Sequence, residues 1–346
     1  MRVGDDDLQH PAAGGFTGPV PLVRGTVPGV VGRTPLARTT VGLAPTWVGF
    51  LSDWDRSLRA GNYPATTRYN YLLAASQLAR YLAEEVRAGE RVASPTGVTR
   101  ADLQAFQAWM VATRSASTAL NKHKALQQFF KWLVVEEEEL DRSPMAGVRQ
   151  PRTPVKLIPV LAAEETTQIL QVCRGKGFAH LRDAAIIRVL ANTGARLSEV
   201  AGLGVADIDL DLDTALIRGK GAKERRVRLG PRTARAVSRY LRARARHPAS
   251  AESRLWLPVR GIRPLSANGI KLMVRRRGEQ AGLSRIHAHR WRHTYAHEWK
   301  LAGGDSGDLM LVLGWTSEDM PRHYGASAAA ERAQAVQARL RIGDDV

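Results

Sequence analysis

The chain has 346 residues, 44% of them hydrophobic and 24% charged, which gives room for two globular domains and excludes a disordered chain. Its net charge of +18 points to a polyanionic partner, of which nucleic acid is the commonest. Cys173 is the sole cysteine, which excludes a disulfide framework or a thiolate zinc cluster, and no apolar run reaches the roughly 18 residues of a membrane span.

The N-terminus lacks a basic segment followed by an apolar core and a cleavage site, so a cytoplasmic, nucleoid-associated protein is expected. The positive charge is concentrated. Residues 220–246 hold 11 Lys and Arg against one acid, Glu224, and residues 271–300 hold 8 against 2. Arginine-rich solvated helices account for the number of bases, but not for the missing acids in the same windows.

Residues 1–43 are rich in Gly, Pro, Val and Thr without helical period, and read as a flexible leader. From Thr46 the residues Trp47, Phe50, Leu51, Trp54 and Leu58 recur at three- and four-residue spacing, which predicts an amphipathic helix. Thr66 is the candidate cap of a second helix, with Leu72, Leu73, Leu78, Tyr81 and Leu82 as its apolar set. Thr99 caps a third (Leu103, Phe106, Trp109, Met110), and Ser117 opens a fourth (Leu120, Leu126, Phe129, Phe130, Leu133). Residues 44–148 are therefore expected to form a small all-α domain, followed by a linker over 149–160.

The second domain, 161–346, reads as mostly helical with one β interruption. Strand-like runs at 214–218 and 225–229 flank Gly219-Lys220-Gly221-Ala222-Lys223, a hairpin turn. Further helices are predicted over 266–280, 286–301, 308–313 and 328–341. The last carries Ala329, Ala333, Val336 and Leu340 on one side, a surface suited to docking on a neighbouring protomer.

Four segments of this domain hold side chains for which a packed core has little use. Arg196 follows a Gly-containing turn at a helix start, where backbone N–H groups favour an anion, although taken alone a plain helix ion pair with Glu199 is the better reading. Lys220 sits at the hairpin tip, either as a surface cation or as a lysine able to give up its proton in a dry site. On the helix over 286–301, His289, Arg292, His293 and Ala296 share one face, while Trp291, Tyr295 and Trp299 form a stripe roughly opposite. A buried His293 satisfied by neighbours is an open alternative. The fourth segment is Leu313-Gly314-Trp315, followed nine residues later by Tyr324. Either aromatic, taken alone, is ordinary packing.

In this order the segments resemble the tyrosine recombinase (phage integrase) family, whose signature is an Arg with a downstream acid, a hairpin Lys, His-x-x-Arg, a His or Trp, and a Tyr. Here these are Arg196 with Glu199, Lys220, His289 with Arg292, Trp315 and Tyr324. The resemblance covers roughly residues 45–342, because the helical first domain looks like the family's core-binding domain. It implies a two-domain DNA clamp: an all-α N-terminal core-binding domain and a mainly α catalytic domain with a small β-sheet or hairpin. It also implies a DNA strand transferase working through a 3′-phosphotyrosine at Tyr324, with Arg196, Arg292, His289 and Trp315 around the phosphate. Lys220 would then protonate the leaving oxygen, with Glu199 and His293 in support. Trp315 stands where His is commoner, which keeps a donor and gives up acid–base chemistry. Trp291 stands where leucine is usual.

No metal or cofactor is called for. The implied partners are double-stranded DNA recombination sites, bound by a dimer per site and a homotetramer on two duplexes, with no membrane. Thr118, Asn121, Lys122 and Lys124, at the start of the fourth helix, are candidate DNA contacts, or else an exposed polar face. Two other functions stay open: a type IB topoisomerase-like enzyme, which shares the catalytic residues, and a non-catalytic DNA-binding regulator, which shares the charge.

Overall fold

A computed structural model describes residues 35–84, 93–154, 159–219 and 223–344. The chain divides into two compact units, Met1–Pro154 and Val155–Val346, a division that falls inside the expected linker.

The first unit is all-helical: α1 (Pro35–Thr39), α2 (Pro45–Ala60), α3 (Ala65–Glu84), α4 (Arg100–Thr113) and α5 (Ala116–Val135). The apolar stripes read from the sequence form its core, centred on Trp47, Leu51, Trp54, Leu72, Leu78, Phe106 and Phe129, all at most 2% exposed. Trp54 stacks on Tyr71 at 5.7 Å and meets Phe129 at 4.9 Å, so an aromatic cluster sits among the leucines of this core. Thr99 caps α4 in a reciprocal pair with Asp102.

Three expectations need correction here. Residues 35–43, assigned to the leader, fold onto this unit. Leu36 and Leu43 pack on the core, and Arg80 donates to the carbonyls of Thr39 (2.6 Å) and Val41 (3.1 Å). The fourth helix is capped by Ser115, not Ser117: Ser115 is extended, and its Oγ accepts the Thr118 N–H at 3.1 Å. Thr66 lies inside α3, which starts directly after Pro64.

The second unit contains α6 (Ala163–Gln171), α7 (Phe178–Thr193), α8 (Leu197–Gly202), strands β1 (Ile208–Asp209), β2 (Thr214–Arg218) and β3 (Glu224–Arg228), then α9 (Pro231–Arg244), α10 (Ala267–Gln280), α11 (Ala288–Leu301), α12 (Ser306–Leu313) and α13 (Asp319–Leu340). The sheet is antiparallel in the order β1-β2-β3, with Ala215 opposite Val227 and Ile217 opposite Arg225. α7 is apolar around most of its circumference, with Ile186, Ile187, Val189 and Leu190 all fully buried, and forms the centre of this unit.

Charge is also built into this core. Asp183, fully buried, accepts from Arg182 (2.9 and 2.7 Å) and from Arg277 (3.0 and 2.8 Å), which ties α7 to α10. Among the described residues no helix is long and apolar enough to cross a membrane.

Candidate active site

α11 presents His289, Arg292 and His293 on one face, as the three- and four-residue spacing requires. Opposite them α13 carries Tyr324. The sequence suggested a helix beginning near 328, but α13 begins at Asp319 and runs through the tyrosine. Pro321 lies in its first turn, where the missing N–H has no intrahelical acceptor to lose. A Cβ at Gly325 would make an ordinary contact with Lys300 Cγ at 3.4 Å, so the glycine is not required by packing.

Tyr324 is 7% exposed and gripped on all sides. Its hydroxyl is 2.9 Å from His289 Nε2. The phenol ring stacks on His293 with centroids 4.1 Å apart and planes at 15°, and meets Trp315 at 4.7 Å on a tilt. His293 therefore acts on the tyrosine ring. The expected aromatic stripe divides: Trp291 joins the large core of the unit, while Tyr295 and Trp299 pack with Leu309, Leu313, Trp315 and Tyr324.

The C-terminus of α12 gathers the guanidinium groups, because its last carbonyls have no helical partner and carry the negative end of the helix dipole. Arg292 donates to Leu313 O at 2.7 Å and to Gly194 O at 2.9 Å. Arg196, just ahead of α8, reaches Leu313 O at 3.5 Å and Gly314 O at 3.3 Å. The two guanidinium groups thus share one carbonyl. Arg292 is 1% exposed, whereas the Arg196 side chain is 39% exposed and open to a ligand.

Gly194 and Gly314 make this junction possible. Both are left-handed (φ 60° and 63°), and a Cβ on Gly194 would sit 2.8 Å from Leu313 Cδ2 and 3.0 Å from Tyr295 Cγ. Gly194→Ala is expected to destabilise the protein by about 1–2 kcal/mol from the backbone alone. The substitution also moves the carbonyl that accepts from Arg292; thermal melts check the loss of stability.

Glu199 lies beneath the arginines, its side chain 3% exposed. It accepts the Arg196 N–H (2.8 Å) and guanidinium (2.8 Å), and two donors of Arg225 on β3 (2.7 and 3.2 Å). Burial alone would raise its pKa, but the hydrogen bonds from Arg225 and Arg196 outweigh that and hold the carboxyl below its ordinary value. Arg225 also donates to Val312 O at 2.6 Å. Sequence reasoning missed Arg225, one of several arginines in a row. Strand alternation, which puts it on the inner face with Val227, was the available signal.

Burial shifts the reactive groups. Arg292 is pushed down to about 10, first by desolvation and then by Arg196, and remains charged at neutral pH. Tyr324 is raised above its ordinary value by burial, against the pull of Arg292 and Arg196. Trp315 Nε1 is buried with no hydrogen-bond partner, an orphan donor next to Arg292, whose Cζ lies 5.2 Å from the indole centroid. Lys220 lies outside the described residues. The hairpin base is described: Gly219 N–H donates to Lys223 O at 2.8 Å, and a Cβ at Gly219 would lie 3.5 Å from Glu199 Oε1. Among the described residues no cluster of His, Cys, Asp and Glu is arranged to hold a metal ion.

The four candidate contacts on α5 differ in exposure. Asn121 and Lys124 are exposed. Thr118 is part-buried and its hydroxyl lies 2.9 Å from Ser115 Oγ in the cap. Lys122 is half-buried beside Gln107 and His123, with its pKa lowered by burial.

Residues 159–331 match the phage integrase family, and residues 50–139 match the phage integrase N-terminal SAM-like domain. The chain is 34% identical over 200 residues to the tyrosine recombinase XerC of Salmonella typhi; it covers 65% of that relative, just under two thirds, using 58% of its own length. It is 30% identical over 242 residues to the tyrosine recombinase XerD of Bifidobacterium longum, covering 66% of this chain and 78% of that one. In fold it is similar to the XerH site-specific recombinase bound to palindromic difH substrate, with a TM-score of 0.66 and 20% identity over 89% of this chain and 94% of that one. With a family match spanning the whole constellation from Arg196 to Tyr324, the chain belongs to the phage integrase family.

Proposed function

We propose that this protein is a site-specific DNA recombinase that cuts and rejoins strands through a covalent 3′-phosphotyrosine at Tyr324. One observation carries the reading most: a buried phenol hydroxyl, 2.9 Å from an imidazole nitrogen, beside two guanidinium groups that share a carbonyl. Each group then has a role. The Tyr324 oxygen attacks phosphorus, the new P–O bond forms as the bond to the 5′ oxygen breaks, and His289 Nε2 takes the phenol proton. Arg196 and Arg292 neutralise the non-bridging oxygens, and the Trp315 N–H donates one further bond. Lys220 protonates the departing 5′ oxygen, and Glu199 with Arg225 fixes the angle of Arg196. Rejoining runs the same steps backwards from another 5′ hydroxyl, so one P–O ester replaces another without outside energy. No cofactor enters the scheme.

Recombination further calls for two duplexes, each bound by a dimer, within a homotetramer. Residues 44–148 would serve as the core-binding domain and 161–346 as the catalytic domain. Sedimentation of paired-site complexes should give four protomers; complexes no larger than one dimer per duplex would favour a topoisomerase-like enzyme. The decisive assay is a nicked duplex bearing the recombination site. Adducts that survive denaturation support strand transfer, and binding without adducts supports the regulator instead.

Two further outcomes follow from the burial of these groups. Burial holds Tyr324 protonated beyond the ordinary phenol range near ~10, so cleavage at neutral pH depends on a local base. In His289→Ala the single-turnover cleavage rate should depend more steeply on pH through the alkaline range than the wild-type rate does. Profiles of identical shape would remove His289 from the proton path. On α5, Lys124→Ala should reduce the salt slope of DNA binding by about 1, and half-buried Lys122 should contribute less, as read from binding isotherms across salt.

A further inference from the structure

The densest positive charge outside the site lies on α9. Arg232, Arg235, Arg239 and Arg242 follow at spacings of three, four and three, so they share one face, and all four are exposed. The opposite face, with Ala234, Val237 and Tyr240, is buried in the unit's core. α9 contains no acidic residue, and none of the four arginines forms an ion pair among the described residues. Arg242 donates to Ser238 Oγ at 2.9 Å.

This arrangement works against the helix that bears it. Like charges three and four residues apart destabilise a helix, and Arg232 lies in the first turn, at the positive end of the dipole. The field is felt by its neighbour: burial and Arg232 together lower the pKa of Arg188 on α7. Some surface arginines elsewhere do pair along their helix, as in Arg56–Asp53 (2.8 Å) on α2 and Arg275–Glu279 (3.1 Å) on α10, whereas α9 supplies no acid for any of its four.

We propose that the α9 arginine face is a second contact for duplex DNA, gripping the phosphate backbone of the DNA that flanks the recombination site. The idea rests on the strand-transfer reading above, since it names where further DNA is held. From Arg232 to Arg242 the helix rises about 15 Å, a length over which a duplex presents roughly nine phosphates. Guanidinium forks suit those oxygens without reading bases, so the contact is independent of sequence. None of the four arginines touches the groups around Tyr324, so their removal leaves the chemistry in place.

The test compares the full-length protein with R232Q/R235Q/R239Q/R242Q on two duplexes: one limited to the recombination site, and the same site within long random flanks. On the flanked duplex the variant should bind about tenfold more weakly, with a salt slope lower by about 3–4, and on the short duplex within about twofold of wild type. Its melting temperature should rise, because the repulsion is relieved. Wild-type affinity and salt slope on the flanked duplex, or equal losses on both lengths, overturn the proposal. So does a loss of self-association with DNA binding intact, which would assign the face to an acidic stretch such as Glu136–Glu139 of a second copy. Adducts on the short duplex test the strand-transfer reading separately: a flank effect without adducts would refute that reading and keep this one.

Discussion

Tyr324→Phe is expected to abolish covalent DNA adducts while leaving DNA affinity and folding nearly unchanged. The substitution removes one oxygen. The ring keeps its stack on His293 and its contact with Trp315, so the small cluster around Leu309 and Leu313 stays packed. The lost hydrogen bond to His289 is worth about 0.5–1.5 kcal/mol. Cleavage should nevertheless fall on the order of 10⁴-fold or more, because no second nucleophile occupies the same place. A purely structural tyrosine would show the reverse, with a lowered melting temperature and unchanged adduct yield.

The second large effect is expected at Arg292, the most buried charge of the site. Its guanidinium spans two carbonyls at the ends of different helices, Gly194 O after α7 and Leu313 O of α12, and still flanks Trp315. Lysine has no planar fork to span both, and at this depth its ammonium would tend to lose its proton. Arg292→Lys should therefore lower single-turnover cleavage by roughly 10²–10³-fold, comparable to the loss of a main transition-state donor. Arg292→Ala should lose at least as much activity and in addition about 1–3 kcal/mol of stability for Gly194 O left unpaired in the interior, since Arg196 still reaches Leu313 O. Cleavage rates and denaturant melts on the same preparations separate the two parts. Near-wild-type cleavage in Arg292→Lys would mean that the fork geometry is not used.

Much of this is legible in the sequence. Helical period located α2 to α5 and α10 to α12 because each packs one apolar face, and Gly-Lys-Gly marked the hairpin. The order Arg196, His289, Arg292, Trp315, Tyr324 picks out side chains that the structure brings together. Other features have no sequence signature. The hub of the site is a set of backbone carbonyls at the end of α12, and carbonyls are the same for every residue. Arg225 was indistinguishable from Arg226 and Arg228 until the strand's inner face was known. Pro321 and Gly325 look like helix breakers, yet Pro321 sits in the first turn and the helix continues through Gly325, so the sequence places the start of α13 too late. Pro35–Thr39 was lost in a Gly/Pro-rich stretch because five helical residues are too few for a period to show.

The account turns on where DNA becomes attached. Trapping the protein on a nicked site, digesting both components and weighing the peptides reads this directly. A nucleotide-phosphate mass on the peptide containing Tyr324, and on no other, is the predicted result. The same mass on a different residue, or no modified peptide from a complex that binds the site well, would contradict it.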